Sequence, residues 1–184
     1  MANLPDLGLN LNLSARQIVD ARLPAIIRAA LDETGFPADA LTPEITESIL
    51  KNDADLARDR LTALKDLGTR LAMDDLGTGY SSLAYLRHFP VDAVKIDRSF
   101  IMALSPDASD DIAIVRSVLS LCRSLRLETV AEGIERPEQM AILNDFGCQF
   151  GQGYLFAKPM PAEEWSTFAR STPIPARPVR LPTN

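Results

Sequence analysis

The chain has 184 residues, 46% hydrophobic and 24% charged, which is enough for one sizeable core. Its formal net charge of −6 excludes binding a nucleic-acid polymer through the backbone, which needs basic patches. It leaves room for a small phosphorylated ligand, because metal ions can neutralise carboxylates and phosphates together.

Cys122 and Cys148 lie in apolar stretches and read as buried thiols of a reducing compartment, not as a disulfide or zinc framework. His88 is the only histidine, so a His-based metal site or a Ser-His-Asp triad lacks its parts. No apolar run approaches the roughly 18 residues of a membrane span, and the N-terminus lacks the basic-then-apolar order of a signal peptide. The expectation is a cytoplasmic chain; a parent protein could still be membrane-anchored.

Residues 7–13 read as a short apolar strand carrying Asn10 and Asn12, and Ser14 starts a turn. Residues 23–34 follow as a helix. Pro24 sits in its first turn, where a missing N–H costs little, and Gly35 ends it. Residues 41–47 form the next strand, with Pro43 tolerated near its start. Residues 55–67 are an amphipathic helix with Leu56, Leu61, Leu64 and Leu67 on one side and Gly68 after it. A strand at 70–76, a helix at 81–89 and a strand at 93–97 come next. Ser109 can cap a helix over 110–125, which sets Ile112, Val115, Leu119, Cys122 and Leu125 at helical spacing. A strand at 128–134, a helix at 137–146 stopped by Gly147, a strand at 149–156 and a helix at 162–169 complete a domain over 1–170. Four prolines among residues 171–184 predict a disordered tail.

Strand and helix alternate through six units, which predicts a parallel sheet with helices outside. A flavodoxin-like open sheet fits the length. A TIM-like (β/α)8 barrel fits the polar strand ends better, but it needs about 250 residues, so the chain is short by about two units.

The focus is Met73-Asp74-Asp75-Leu76-Gly77-Thr78-Gly79-Tyr80. Neighbouring side chains on a strand point to opposite faces, so Asp74 and Asp75 share one site only where the strand ends and the backbone turns. The plainer reading is that Asp75 caps the turn and Asp74 is solvated. The Gly77-Thr78-Gly79 turn lacks the third glycine of a dinucleotide fingerprint and reads as a mobile loop.

Other strands end in the same way, with Asn12, then Glu44 and Glu47, Lys95 and Asp97, Glu132 and Glu135, and Gln152. One polar strand end is an ordinary cap. Six in succession, where α/β barrels collect their active sites, are hard to dismiss. Oxygen donors without His or Cys suit a hard cation such as Mg2+ or Mn2+. A lysine adds a point charge for a phosphate or a water, and a spare glutamate can be a general base. Together they suggest metal-assisted attack of water on a phosphate ester, with two ions.

These residues lie in segments that resemble the EAL domain, a bacterial phosphodiesterase of the second messenger cyclic di-GMP. The segments are Asn12-Leu13-Ser14-Ala15-Arg16-Gln17, Glu44-Ile45-Thr46-Glu47-Ser48 and Asp74-Asp75-Leu76-Gly77-Thr78-Gly79-Tyr80-Ser81-Ser82-Leu83. They continue, in the family's order, with Val94-Lys95-Ile96-Asp97-Arg98-Ser99-Phe100, Val130-Ala131-Glu132-Gly133-Ile134-Glu135 and Gln152-Gly153-Tyr154-Leu155-Phe156.

The resemblance implies an EAL-type (β/α)8 barrel of which about six βα units are present. It implies two Mg2+ or Mn2+ ions and hydrolysis of cyclic di-GMP to linear pGpG. Asn12, Glu44 and Asp74 would bind metal, with Asp75 at the second ion. Lys95 would orient the catalytic water, and Glu132 would be the general base or a metal-site carboxylate. Asp97, Glu135, Gln152 and Arg16 would support the pocket. Glu47 would anchor the loop over 75–82 through hydroxyls such as Thr78 and Ser81. A homodimer, and a regulatory or GGDEF-type domain in a parent protein, are implied as well.

Two features depart from the family. Leu76 stands where the family has Phe, an apolar exchange expected to be harmless. The Glu-Ala-Leu segment with its following Arg is absent from the chain and is expected upstream of Met1. The expectation is a partial EAL domain that is marginally stable and hydrolyses little by itself. The alternative is a receptor that binds cyclic di-GMP without cutting it. A purely structural role is disfavoured by the intact acidic set.

Overall fold

A computed structural model of the chain describes residues 7–46, 53–76, 86–171 and 179–180. Six strands run parallel, and neighbours in sequence are neighbours in the sheet: β1 Leu9–Leu13, β2 Leu41–Thr46, β3 Ala72–Leu76, β4 Ala93–Ile96, β5 Glu128–Ala131 and β6 Phe150–Gly151. The helices are α1 Ala15–Ile18, α2 Leu23–Thr34, α3 Ala54–Lys65, α4 Arg98–Ala103, α5 Ser109–Ser124, α6 Pro137–Asp145 and α7 Ala162–Ser171. Single 3₁₀ turns lie at Ala38–Ala40 and Leu86–His88.

The strand order decides between the two expected architectures. A flavodoxin-like sheet reverses its order at a switch point, which puts helices on both faces. Here the order runs straight through, as in a barrel. Among the described residues the sheet is not closed, and the outer edge of β1 pairs with no strand.

Strand periodicity sorts the side chains. Leu13, Leu41, Ile45, Met73 and Val94 pack with Leu23 and Ile27 of α2 and with Ala57, Leu61 and Leu64 of α3. Ile96, Ala131 and Ile134 pack with Ile101 of α4, Val115 and Leu119 of α5 and Leu143 of α6. Fully buried side chains such as Leu61 and Leu64, both 0% exposed, contribute about 1.5–3 kcal/mol each. The alternate residues, among them Asn10, Asn12, Glu44, Asp74 and Lys95, are left for the face away from the helices.

Helix ends follow local chemistry. Ser14 forms a capping box with Gln17, and Gly35 closes α2 at φ 65. Asp53 caps α3 by accepting from the Leu56 N–H. Ser109 is not the cap of α5; that position is Ala108, without a side-chain bond, while Asp110 and Asp111 face the positive end of the helix.

Several elements differ from the sequence reading. The strand expected at 128–134 ends at Ala131, because Gly133 turns the chain at φ 70. The strand expected at 149–156 is only Phe150–Gly151; a turn follows, in which Phe156 N–H donates to the Gly153 carbonyl. Helix α4 was not foreseen, and Asp97 caps it through the Ser99 N–H at 2.9 Å. Of the helix expected at 81–89, residues 81–85 lie outside the described ones, and 86–88 form the 3₁₀ turn. The tail expected to be disordered is described beyond Ser171 only at Val179–Arg180, which pairs antiparallel with β6 as β7.

Both cysteines are free and buried. No helix among the described residues is long and apolar enough to cross a membrane.

Candidate active site

Lys95, on β4, is 5% exposed, and its Nζ stands among three carboxylates. It lies 2.6 Å from Glu132 Oε1, 2.8 Å from Glu44 Oε2 and 3.4 Å from Asp74 Oδ1. Register explains the convergence. Ala72 pairs with Ala93, so Asp74 and Lys95 follow two residues later on the same face. Lys95 pairs with Val130, and Glu132 is two residues beyond. On the other side Glu44 pairs with Ala72, and Asn12 with Glu44.

Asp74 and Asp75 reach the site through a β-bulge, not a strand end. Met73 pairs with Val94 and Leu76 with Ile96, so β3 carries one residue more than β4 over this span. Asp75 absorbs it at φ 57, a left-handed conformation that costs an ordinary residue about 1–2 kcal/mol. Its N–H donates to Asp74 Oδ1 at 3.0 Å. The extra residue turns Leu76 back into the core at 1% exposure.

Three carboxylates against one ammonium leave two negative charges uncompensated. Burial alone would lower the Lys95 pKa, but bonding to Glu132 and Glu44 holds it above the ordinary lysine value. Burial raises Glu132 and Glu44; Lys95 opposes this, and the neighbouring acids add to it. Burial and the charges of Asp74 and Asp97 raise Asp75. Burial would raise Asp97 too, but hydrogen bonds from Ser99 keep it below its ordinary value. At the opposite strand ends charges are paired off: Lys65 with Asp92 at 2.8 Å and Arg70 with Glu128 at 2.5 Å.

The donor set fits a hard divalent cation. Glu44 Oε1 is buried without a hydrogen-bond partner. Two negative charges await compensation, and every donor is an oxygen. Among the described residues no three His, Cys, Asp or Glu side chains form a ready cage. Mg2+ does not need one, since it keeps several waters and takes one or two carboxylates.

The structure joins Glu44, Asp74, Lys95 and Glu132 directly, and Gln152 Nε2 donates to Glu132 Oε1 at 2.6 Å. Asn12 is exposed beside Glu44 on the ladder, Asp97 caps α4, and Glu135 is exposed beyond β5. Arg16 is exposed on α1 and makes no hydrogen bond or ion pair with the cluster among the described residues. Glu47, Thr78 and Ser81 lie outside the described residues. Asn10, placed on the first strand from the sequence but not in the site, has an amide that helps hold the Glu44 pKa down; its signal was the spacing of two from Asn12. Sequence reading passed over Gln139.

A straight run of βα units with acids and a buried lysine at the carboxyl ends of the strands defines a barrel-type domain with its reactive groups on one rim. The EAL domain profile matches residues 1–159, and the chain belongs to that family. It is 41% identical over 172 residues to the cyclic di-GMP phosphodiesterase NbdA of Pseudomonas aeruginosa, covering 94% of this chain and 22% of that protein. The fold matches a cyclic di-GMP complex of the phosphodiesterase MucR of P. aeruginosa with a TM-score of 0.80 and 43% identity, covering 86% of this chain and 64% of that one. It matches the manganese and cyclic di-GMP complex of Klebsiella pneumoniae BlrP1 with a TM-score of 0.77 and 32% identity, covering 85% and 40%. The chain spans about a fifth of the length of the curated relatives it matches. The fold is that of an EAL TIM-barrel domain, with its sheet open among the described residues.

Proposed function

We propose that this chain carries the reactive rim of a metal-dependent phosphodiesterase that hydrolyses cyclic di-GMP to linear pGpG. The observation that carries the reading is Lys95, buried and bonded to carboxylates from the ends of β2 and β5. NbdA and MucR, both phosphodiesterases of this nucleotide, support it.

Asn12, Glu44 and Asp74 would hold one Mg2+ or Mn2+, and Asp75 a second. Ions held there would supply Lewis-acid activation of water and charge neutralisation on the phosphate. The chain's own residues supply the rest. Glu132, whose pKa burial raises above the ordinary carboxylate value, is placed to take a proton from water as general base. Lys95 stays cationic and orients that water or a phosphate oxygen. Gln152 fixes the Glu132 carboxylate by donating to it. Asp97, Glu135 and Arg16 would meet substrate at the rim, and Glu47, Thr78 and Ser81, outside the described residues, would anchor the following loop.

The domain ends near residue 170 and acts in the cytoplasm. It works as a homodimer beside a regulatory or GGDEF-type domain of a longer protein. By itself the chain is expected to turn substrate over slowly, since the β1 edge stands unpaired among the described residues.

The test is incubation of the purified chain with cyclic di-GMP and Mn2+, beside Glu132→Gln. Slow formation of pGpG, stopped by a chelator and reduced about 10²–10⁴-fold in the variant, is expected. Product indifferent to both would overturn the reading. Nucleotide binding without product, in the chain and in a longer parent protein alike, would make it a receptor.

A further inference from the structure

Gln139 is 1% exposed and stands apart from the Lys95 cluster. A buried amide needs partners for its oxygen and its N–H groups. Its Oε1 accepts from the backbone N–H groups of Glu135 and Arg136, each at 2.9 Å, and its Nε2 donates to the Ile101 carbonyl at 2.8 Å. The first two partners belong to the segment that leaves β5 through Glu132. The third belongs to α4, whose cap Asp97 is two residues after Lys95. One side chain therefore joins the segments that carry the two ends of the Glu132–Lys95 pair.

Packing makes that join effective. A Cβ on Gly133 would sit 2.7 Å from the Cβ of Arg98, the first residue of α4. The Ile134 N–H donates to the Gln152 carbonyl, and a Cβ on Gly153 would lie 2.2 Å from the Ile134 carbonyl oxygen. The segment is thus wedged between α4 and residues 152–153. Arg136 adds bonds to the carbonyls of Met102 at 3.2 Å and Leu104 at 2.7 Å, at the end of a helix where carbonyls lack intrahelical partners.

We propose that Gln139 is a positioning residue that sets the separation of Glu132 and Lys95 by tying the segment after β5 to α4. Its catalytic consequence rests on the phosphodiesterase reading; its geometric consequence does not. With the Ile101 bond gone, α4 moves off Gly133, and the Glu132 carboxylate leaves the Lys95 ammonium.

Gln139→Glu tests this. It keeps the oxygen that receives two N–H groups and sets an acceptor against the Ile101 carbonyl. Arg136→Met removes the parallel tie from an exposed position, and it decides alone if the first variant does not fold. Crystal structures of the full chain and both variants are compared, with turnover of cyclic di-GMP in Mn2+ and thermal unfolding alongside. The Lys95–Glu132 separation is expected to lengthen from 2.6 Å past hydrogen-bond distance. A displacement of about 1 Å is expected to lower kcat about 10²-fold, with KM unchanged. An unchanged separation, or a kcat that falls only in step with the folded fraction, would overturn the proposal. A lengthened separation in a chain whose parent form makes no product would uphold the positioning and count against the phosphodiesterase reading.

Discussion

The Lys95 ammonium and the Glu132 carboxylate meet 2.6 Å apart across β4 and β5, both side chains being mostly shielded from solvent. The same ammonium holds Glu44 at 2.8 Å, so its removal leaves two largely buried carboxylates without their cation. Lys95→Met is expected to cost about 3–5 kcal/mol, the loss typical of breaking a buried ion pair from one side. Urea unfolding of the metal-free chain measures it. A loss below about 1 kcal/mol, the worth of an exposed pair, would show that the cluster is hydrated.

The raised acids set a pH dependence of stability. Glu44 and Glu132 bind their protons more tightly folded than unfolded, so stability falls as pH rises from their ordinary value of 4.5 through the raised ones. Lys95, also raised, pulls in the same direction but only in alkali: its contribution is complete below its ordinary 10.5 and is lost as pH rises through the raised value. The metal-free chain is therefore expected to melt higher near pH 5 than at pH 7. Mn2+ at about a hundred times its Kd should add about 2.7 kcal/mol at neutral pH and flatten that trend. Melting curves at both pH values, with and without Mn2+, check it.

Asp75 holds a left-handed backbone that glycine adopts freely. Asp75→Gly is expected to raise stability by up to about 1–2 kcal/mol through relief of that conformation, while weakening cation binding. Asp75→Val, branched at Cβ, is expected to lower stability. Denaturant midpoints and Mn2+ titration separate the two effects. Equal midpoints for Gly and Val would mean that the bulge rearranges.

Gly153 has φ 155 and no room for a side chain, since a Cβ would lie within 2.3 Å of both the nitrogen and the oxygen of Ile134. Gly153→Ala is expected to destabilise the chain by more than about 1 kcal/mol and to loosen Gln152 from Glu132. Thermal unfolding and exchange of the Ile134 amide, whose partner is the Gln152 carbonyl, report on both.

Much of the fold was legible because hydrophobic period and punctuation are local. Pro24 and Gly35 bound α2 at the residues expected, and Leu61 and Leu64 mark the buried side of α3. Elements shaped by close approach were not legible. Residues 128–134 and 149–156 read as long strands from their apolar content, yet Gly133 and Gly153 turn the chain where the two segments press together. Helix α4 is short and depends on the Asp97 cap more than on periodicity.

The sequence by itself determined the six βα units, the oxygen-rich strand ends and the family, since these depend on residue type and order along the chain. Only the tertiary structure decided that Asp74 and Asp75 are reconciled by a bulge and that three carboxylates share one buried lysine. It also decided that Gln139 joins two segments from outside the cluster. These depend on register between strands and on contacts across 51 residues of chain between Glu44 and Lys95 and 38 between Ile101 and Gln139, which no local pattern encodes.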